Sequence, residues 1–126
     1  MEAKDLRIGD WVCYRGTNIK VTSLYDKGGS NEIGWGDKES TWVNGRTIEP
    51  IPLTPEILAK NGFKTLEFYS ELVISNANEH TQIQWDGSHL RCKKMGGGEL
   101  ELTCCKYVHQ LQDAMRICCI DKEIKM

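Results

Sequence analysis

Six cysteines, three histidines and eighteen carboxylates in 126 residues are the side chains from which any chemistry would have to be built. Cys105, His109 and Asp113 follow one another at four-residue steps. On a helix that spacing stacks side chains on one face, so an aspartate can orient an imidazole and the imidazole can activate a thiol. A thiol near a helix start can also have a lowered pKa. No segment beside it suggests an oxyanion loop or a substrate pocket, and the stronger reading has His109, Gln110 and Gln112 tying a helix to sheet edges or loop carbonyls. A zinc site from Cys105, His109 and a helical cysteine can be drawn as well. Against it, the chain has no Cys-x-x-Cys pair, only the doublets Cys104-Cys105 and Cys118-Cys119. Adjacent side chains point to opposite faces of a strand and diverge by roughly 100° on a helix, so a doublet aims poorly at one ion. The expectation is reduced thiols, several of them core-filling, with no disulfide, no metal site, no cofactor and no catalytic residue.

Aromatic residues offer a different kind of site. Trp11, Tyr14, Trp35 and Trp42 lie in the first 50 residues and Trp85 in the remainder. A small β unit needs several such rings to fill its core, and that reading is preferred for Trp11 and Trp42. Aromatic-lined surfaces of small barrels also bind peptides, and aromatic rings can stack bases. Trp35 stands between Gly34 and Gly36, where another backbone can approach closely, so it is the expected exposed contact. Tyr14, Trp35 and Trp42 are the candidate partner-binding residues. Gly28-Gly29 and Gly96-Gly97-Gly98 lack the lysine and hydroxyl of a phosphate loop and read as hairpin connections. Arg91, Lys93, Lys94 and Lys106 form a modest basic group that Glu99 and Glu101 largely cancel. With a net charge of −2, nothing global draws nucleic acid or an anionic membrane.

The elements that would position these residues divide at Glu49-Pro50-Ile51-Pro52-Leu53-Thr54-Pro55. Before it, five strand-like runs are expected at 10–14, 19–24, 32–35, 40–43 and 46–49. Arg15-Gly16-Thr17-Asn18 is a turn, 26–31 a flexible loop, and Asn44-Gly45 a two-residue hairpin turn. In 19–24, Ile19, Val21 and Ser23 would share one face. After it, Thr54 caps a helix starting at Pro55, and Gly62 ends it with Phe63 folding back. An antiparallel meander follows: 66–75, 81–85 and 88–93 joined through Asp86-Gly87, then 99–104. Ile83, Trp85, Leu90 and Cys92 would face one side. Tyr107, Val108, Leu111, Ala114, Met115, Cys118 and Cys119 then recur at helical spacing, with Gln110, Gln112, Asp113 and Arg116 opposite. Residues 122–126 can add an edge strand.

Three segments carry a resemblance: Leu6-Arg7-Ile8-Gly9-Asp10-Trp11-Val12, the stretch from Glu49 to Leu58 with Asn61-Gly62-Phe63, and Lys106 to Gln112. Together they resemble a family of small uncharacterised proteins of Bacteroides-type gut bacteria and their prophages or other mobile elements. The resemblance implies an accessory gene on mobile DNA and brings no catalytic residues. The expected fold is α+β: a small SH3-like β-barrel or curled sheet over 1–50, packed against an α+β unit over 51–126 whose meander is covered by the C-terminal helix. No apolar run is long enough to span a membrane and no export signal is visible, so a cytoplasmic location is expected. The expected role is a non-enzymatic binding or accessory module with a protein partner. The alternatives are a nucleic-acid-associated phage protein and, third, a small Cys/His enzyme.

Overall fold

The structure is a computed structural model that describes residues 1–27, 30–36, 41–65, 72–78, 81–94, 99–118, 120 and 123–126. The chain is α+β and divides into two compact units, Met1–Ile51 and Pro52–Met126.

In the first unit β1 (Trp11–Tyr14), β2 (Thr17–Lys20) and β6 (Ile48–Glu49) make one antiparallel sheet in the order β2-β1-β6. A second, β3-β4-β5, is built from Ser23–Lys27, Ser30–Trp35 and Thr41–Asn44. The expected single strand over 19–24 is broken at Val21-Thr22. There Val21 N–H donates to Asp10 O in one sheet and Thr22 N–H to Gly34 O in the other. That change of partner shifts the inward face by one residue. Ile19 and Val21 are buried, and then Leu24, not Ser23, packs on the core with Val12, Ile33 and Ile48. The loop expected over 26–31 is mostly strand, since Asp26 pairs with Asn31 and Lys27 with Ser30. Gly28 and Gly29 themselves lie outside the described residues.

Asn44-Gly45 does not form the expected hairpin. The Asn44 side chain accepts from Arg46 N–H and opens a 3-10 turn over Gly45–Thr47. That turn carries the chain away from β5, so β6 pairs with β1 through Cys13↔Glu49 and Tyr14↔Ile48. Asn31 fixes the first residues against this turn, accepting from Ala3 N–H at 2.6 Å and donating to Met1 O at 3.1 Å.

In the second unit α1 (Pro55–Lys60) has the expected ends. Thr54 Oγ1 accepts from Ile57 N–H, and Pro55 takes the first position. Beyond the helix, Gly62 at φ 86° lets its own N–H reach Ala59 O while Phe63 N–H reaches Leu58 O. These are the two bonds of a Schellman end, and Leu58 and Phe63 are both buried beside it.

The sheet is a five-stranded meander, β7 (Lys64–Thr65), β8 (Leu72–Asn78), β9 (Thr81–Trp85), β10 (His89–Lys94) and β11 (Glu99–Cys104) in sequential order. β8 runs to Asn78, three residues past the end of the strand expected over 66–75, and 66–71 lie outside the described residues. Four residues instead of two separate the first paired residues of β9 and β10, because Trp85 pairs with Leu90. A slip of two keeps every side chain on its face, so Ile83, Trp85, Leu90 and Cys92 are all buried as expected. Asp86 closes that loop. Its carboxylate accepts from His89 and Ser88 N–H, and these bonds hold it below the usual aspartate range.

Helix α2 (Val108–Ile117) buries Val108, Leu111, Ala114 and Met115. Gln112, expected on the open side, is buried too, as is His109. The segment 123–126 is not a strand. Asn61 takes both of its backbone groups instead: Lys125 N–H donates to Asn61 Oδ1 at 2.7 Å, and Asn61 Nδ2 donates to Lys125 O at 2.8 Å. No helix among the described residues is long and apolar enough to cross a membrane.

Candidate functional site

The aromatic candidates separate onto two surfaces of the first unit. Tyr14 ends β1 and Trp35 ends β4, so the two come from different sheets. Their ring centroids lie 5.0 Å apart at 49°. Both are half-buried, one side against the core and the other open. The Arg15 guanidinium sits 5.3 Å from the Tyr14 ring centre, inside cation–π range. Arg15 and Gly16 have φ of 48° and 79°, which makes them the two central residues of a tight hairpin turn joining Tyr14 to Thr17. Positive φ costs a non-glycine side chain about 1–2 kcal/mol. An exposed arginine is thus held in an unfavourable backbone state beside an open ring pair.

Trp42 does not join them. It alternates with the inward Val43 and projects from the outer face of β3-β4-β5, 44% exposed, where the sequence favoured a core position. Its indole lies on Gly34. A Cβ built there would stand 3.2 and 3.3 Å from the two ring-fusion carbons, Cδ2 and Cε2. Gly34 therefore does not free Trp35 for contact, as its position suggested; it leaves room for Trp42. Trp35 is the more buried of the two, and Trp11 is half-buried.

The thiol–imidazole set has another character. Cys105 is 2% exposed, and burial first, then the neighbouring Cys104, pushes its thiol up to about 12. It is protonated at neutral pH, the opposite of what a nucleophile needs. Cys105 lines a pocket of about 250 Å³ with Leu90, Cys104, Gln110, Asp113, Ala114 and Ile117, and His109 is not part of that wall. Asp113 accepts from Arg116 Nη1 at 2.8 Å. The backbone around Cys105 is structural: its N–H donates to Ser88 O and its carbonyl accepts from Trp85 Nε1. Gln110 Oε1 accepts from the N–H groups of Lys106 and Tyr107, closing the first turn of α2 instead of reaching a sheet edge. His109 stacks on Tyr107 with ring centres 5.9 Å apart.

Among the described residues no three of His, Cys, Asp and Glu gather to hold a metal ion. In the β10–β11 ladder Arg91 faces Glu101 and Lys93 faces Glu99 in register. The side chains of Lys93, Lys94, Glu99 and Glu101 lie outside the described residues, as do Gly96, Gly97, Gly98 and Cys119.

Sequence reasoning overlooked Arg15, Tyr25, Asp10 and Asn61. Arg15-Gly16 between two strand-like runs has the length of a primed hairpin turn, which demands positive φ of both residues. Tyr25 was hidden by reading the following residues as a loop. Asp10 is fully buried, with its carboxylate accepting from Arg7 N–H at 2.8 Å, and so shapes the entry to β1. No protein-family model matches the chain, and no curated protein or solved structure does so either.

Proposed function

We propose that this chain is a non-enzymatic binding or accessory module that engages a protein partner through its first unit, working in the cytoplasm, where its thiols stay reduced. The observation that carries this reading is the Tyr14–Trp35 pair, drawn from two sheets, with Arg15 strained beside it. Aromatic and arginine side chains in a partly open, pre-organised cluster are the groups that dominate protein interfaces. An SH3-like description of the unit draws support from its strand orders β2-β1-β6 and β3-β4-β5. One extended segment passes between the two sheets, and a 3-10 turn leads into the last strand. The accessory role and a mobile-element origin rest on the resemblance to small Bacteroides-type proteins.

Arg15→Asn is the discriminating variant. Asparagine tolerates positive φ and removes the cation without touching the core. In pull-downs from a Bacteroides-type host, the native chain is expected to recover a partner that Arg15→Asn recovers several-fold less. Equal recovery by both would remove the Tyr14–Trp35 seam from the interface, and recovery of nothing would count against the whole reading. The same rings beside a guanidinium also suit a base and its phosphate. Binding of single-stranded nucleic acid that weakens steeply with salt in a mobility-shift assay would favour that second reading.

A further inference from the structure

The outer face of β3-β4-β5 presents a second arrangement, independent of the Tyr14–Trp35 seam. Strand alternation turns Leu24, Ile33 and Val43 inward, so Ser23, Tyr25, Glu32, Gly34, Trp42 and Asn44 share the outer face. The register sets Tyr25 directly opposite Glu32, and Trp42 opposite Gly34, two residues further along the same strand. Tyr25 is 45% exposed, Trp42 44%, and Glu32 is exposed. Glu32 forms no ion pair among the described residues. Because a Cβ built on Gly34 would stand 3.2 and 3.3 Å from the two ring-fusion carbons of Trp42, the indole lies flat over Gly34, and the residue stays 44% exposed. Diagonal neighbours on a sheet face are roughly 7–8 Å apart, within reach of long and aromatic side chains.

A carboxylate flanked by two outward rings is complementary to a cation. Ring faces carry negative quadrupole charge and attract cations, tryptophan most strongly, and the carboxylate adds a full charge of the same sign. Phosphate backbones and anionic lipid surfaces are repelled by that combination. We propose that Tyr25, Glu32 and Trp42 form a receptor for a lysine or arginine side chain on a basic peptide segment of a protein partner. The flat indole supplies the ring face, Tyr25 the second wall and Glu32 the counter-charge. Gly34 is the positioning residue, since any side chain there would lift the indole off the sheet.

The test uses the full chain, ¹⁵N-labelled, titrated with a short alternating Lys–Ser peptide and with its Glu–Ser counterpart. The Lys–Ser peptide is expected to shift the Trp42 indole N–H signal saturably, with the shift weakening as salt rises, while Glu–Ser leaves it in place. Glu32→Gln keeps the shape and is expected to weaken the Lys–Ser peptide roughly two- to fivefold. Trp42→Leu, which still covers Gly34, should weaken it at least as much. No saturable shift, an equal response to Glu–Ser, or an unchanged affinity in Glu32→Gln would overturn the proposal. Arg15→Asn separates the two surfaces: it should leave this titration unchanged, and a loss there would assign the peptide to the seam and overturn the receptor.

Discussion

Arg15 adopts φ 48° in a turn whose other central residue is Gly16, and an asparagine would fit that backbone better. What Arg15 gains in return is its place over Tyr14, an exposed cation–π contact worth about 0.5–1 kcal/mol. Against a conformational cost of about 1–2 kcal/mol the balance is unfavourable or neutral. Arg15→Asn should therefore leave stability equal or raise it by up to about 1 kcal/mol in urea unfolding. A clear loss of stability would show that the arginine serves the fold. Cys105 makes the complementary case of a reactive group made inert by its surroundings. A native-state alkylation at neutral pH should label the exposed Cys104 quickly and leave Cys105 unlabelled. Below about pH 9 the Cys105 thiol is protonated in both folded and unfolded chains. Between about 9 and about 12 the unfolded chain loses that proton and the folded chain keeps it, so stability falls as pH rises. At 1.36 kcal/mol per pH unit the full effect is on the order of 4 kcal/mol. Unfolding measured from pH 8 to 11 should show a shallower decline in Cys105→Ala than in the native chain; parallel curves would refute the buried-thiol description.

At the scale of elements, what the sequence made legible was local and what it hid was choice of partner. The ends of α1 are written in Thr54-Pro55 and Asn61-Gly62-Phe63, whose hydrogen bonds lie within a few residues of each other. The faces of β9 and β10 survived an error in loop length because the slip was even. Asn44-Gly45 misled, since the same two residues that suit a tight hairpin also start a 3-10 turn, and the buried Ile48 settles the matter by pairing beside β1. The site suffered from the same blindness. Tyr14 and Trp35 were legible as candidates, yet the exposures of Trp35 and Trp42 were inverted because which rings a sheet turns inward depends on its neighbours. Asn61 is the other hidden partner: its amide bonds Ile57 O and both backbone groups of Lys125, 64 residues away. Asn61→Ala would leave partly buried backbone groups of Ile57 and Lys125 without their partner, at a cost of about 1–3 kcal/mol. Hydrogen exchange offers the direct check, with the Lys125 amide protected in the native chain and fast in the variant. Unchanged protection at Lys125 would mean that Asn61 does not hold the segment.

For the molecule as a whole, size limits what the first unit can withstand. Met1–Ile51 has its own cluster of buried side chains, Ala3, Leu6, Val12, Ile19, Val21, Ile33 and Ile48. Those residues are mostly small or medium aliphatic groups, and a unit of about 50 residues buries a lower share of its surface than a larger domain. At about 0.05–0.15 kcal/mol per residue its stability is on the order of 3–8 kcal/mol. Ile33 stands at the centre of that margin: fully buried, with Leu24 and Val43 as its cross-strand partners on the inward face. Ile33→Ala removes three carbons from a site whose two flanking strands are fixed by their ladders and cannot close the gap. The expected cost is about 2–5 kcal/mol, comparable with everything the unit has. The variant should therefore lose the dispersed methyl signals of Val12 and Val21 and with them the Trp35 contact to Tyr14. It should lose the binding proposed for the seam for want of a fold, where Arg15→Asn weakens that proposed binding with the fold intact. Sharp, shifted methyl signals and an unchanged melting temperature in Ile33→Ala would show that the first unit draws its stability from elsewhere than this cluster.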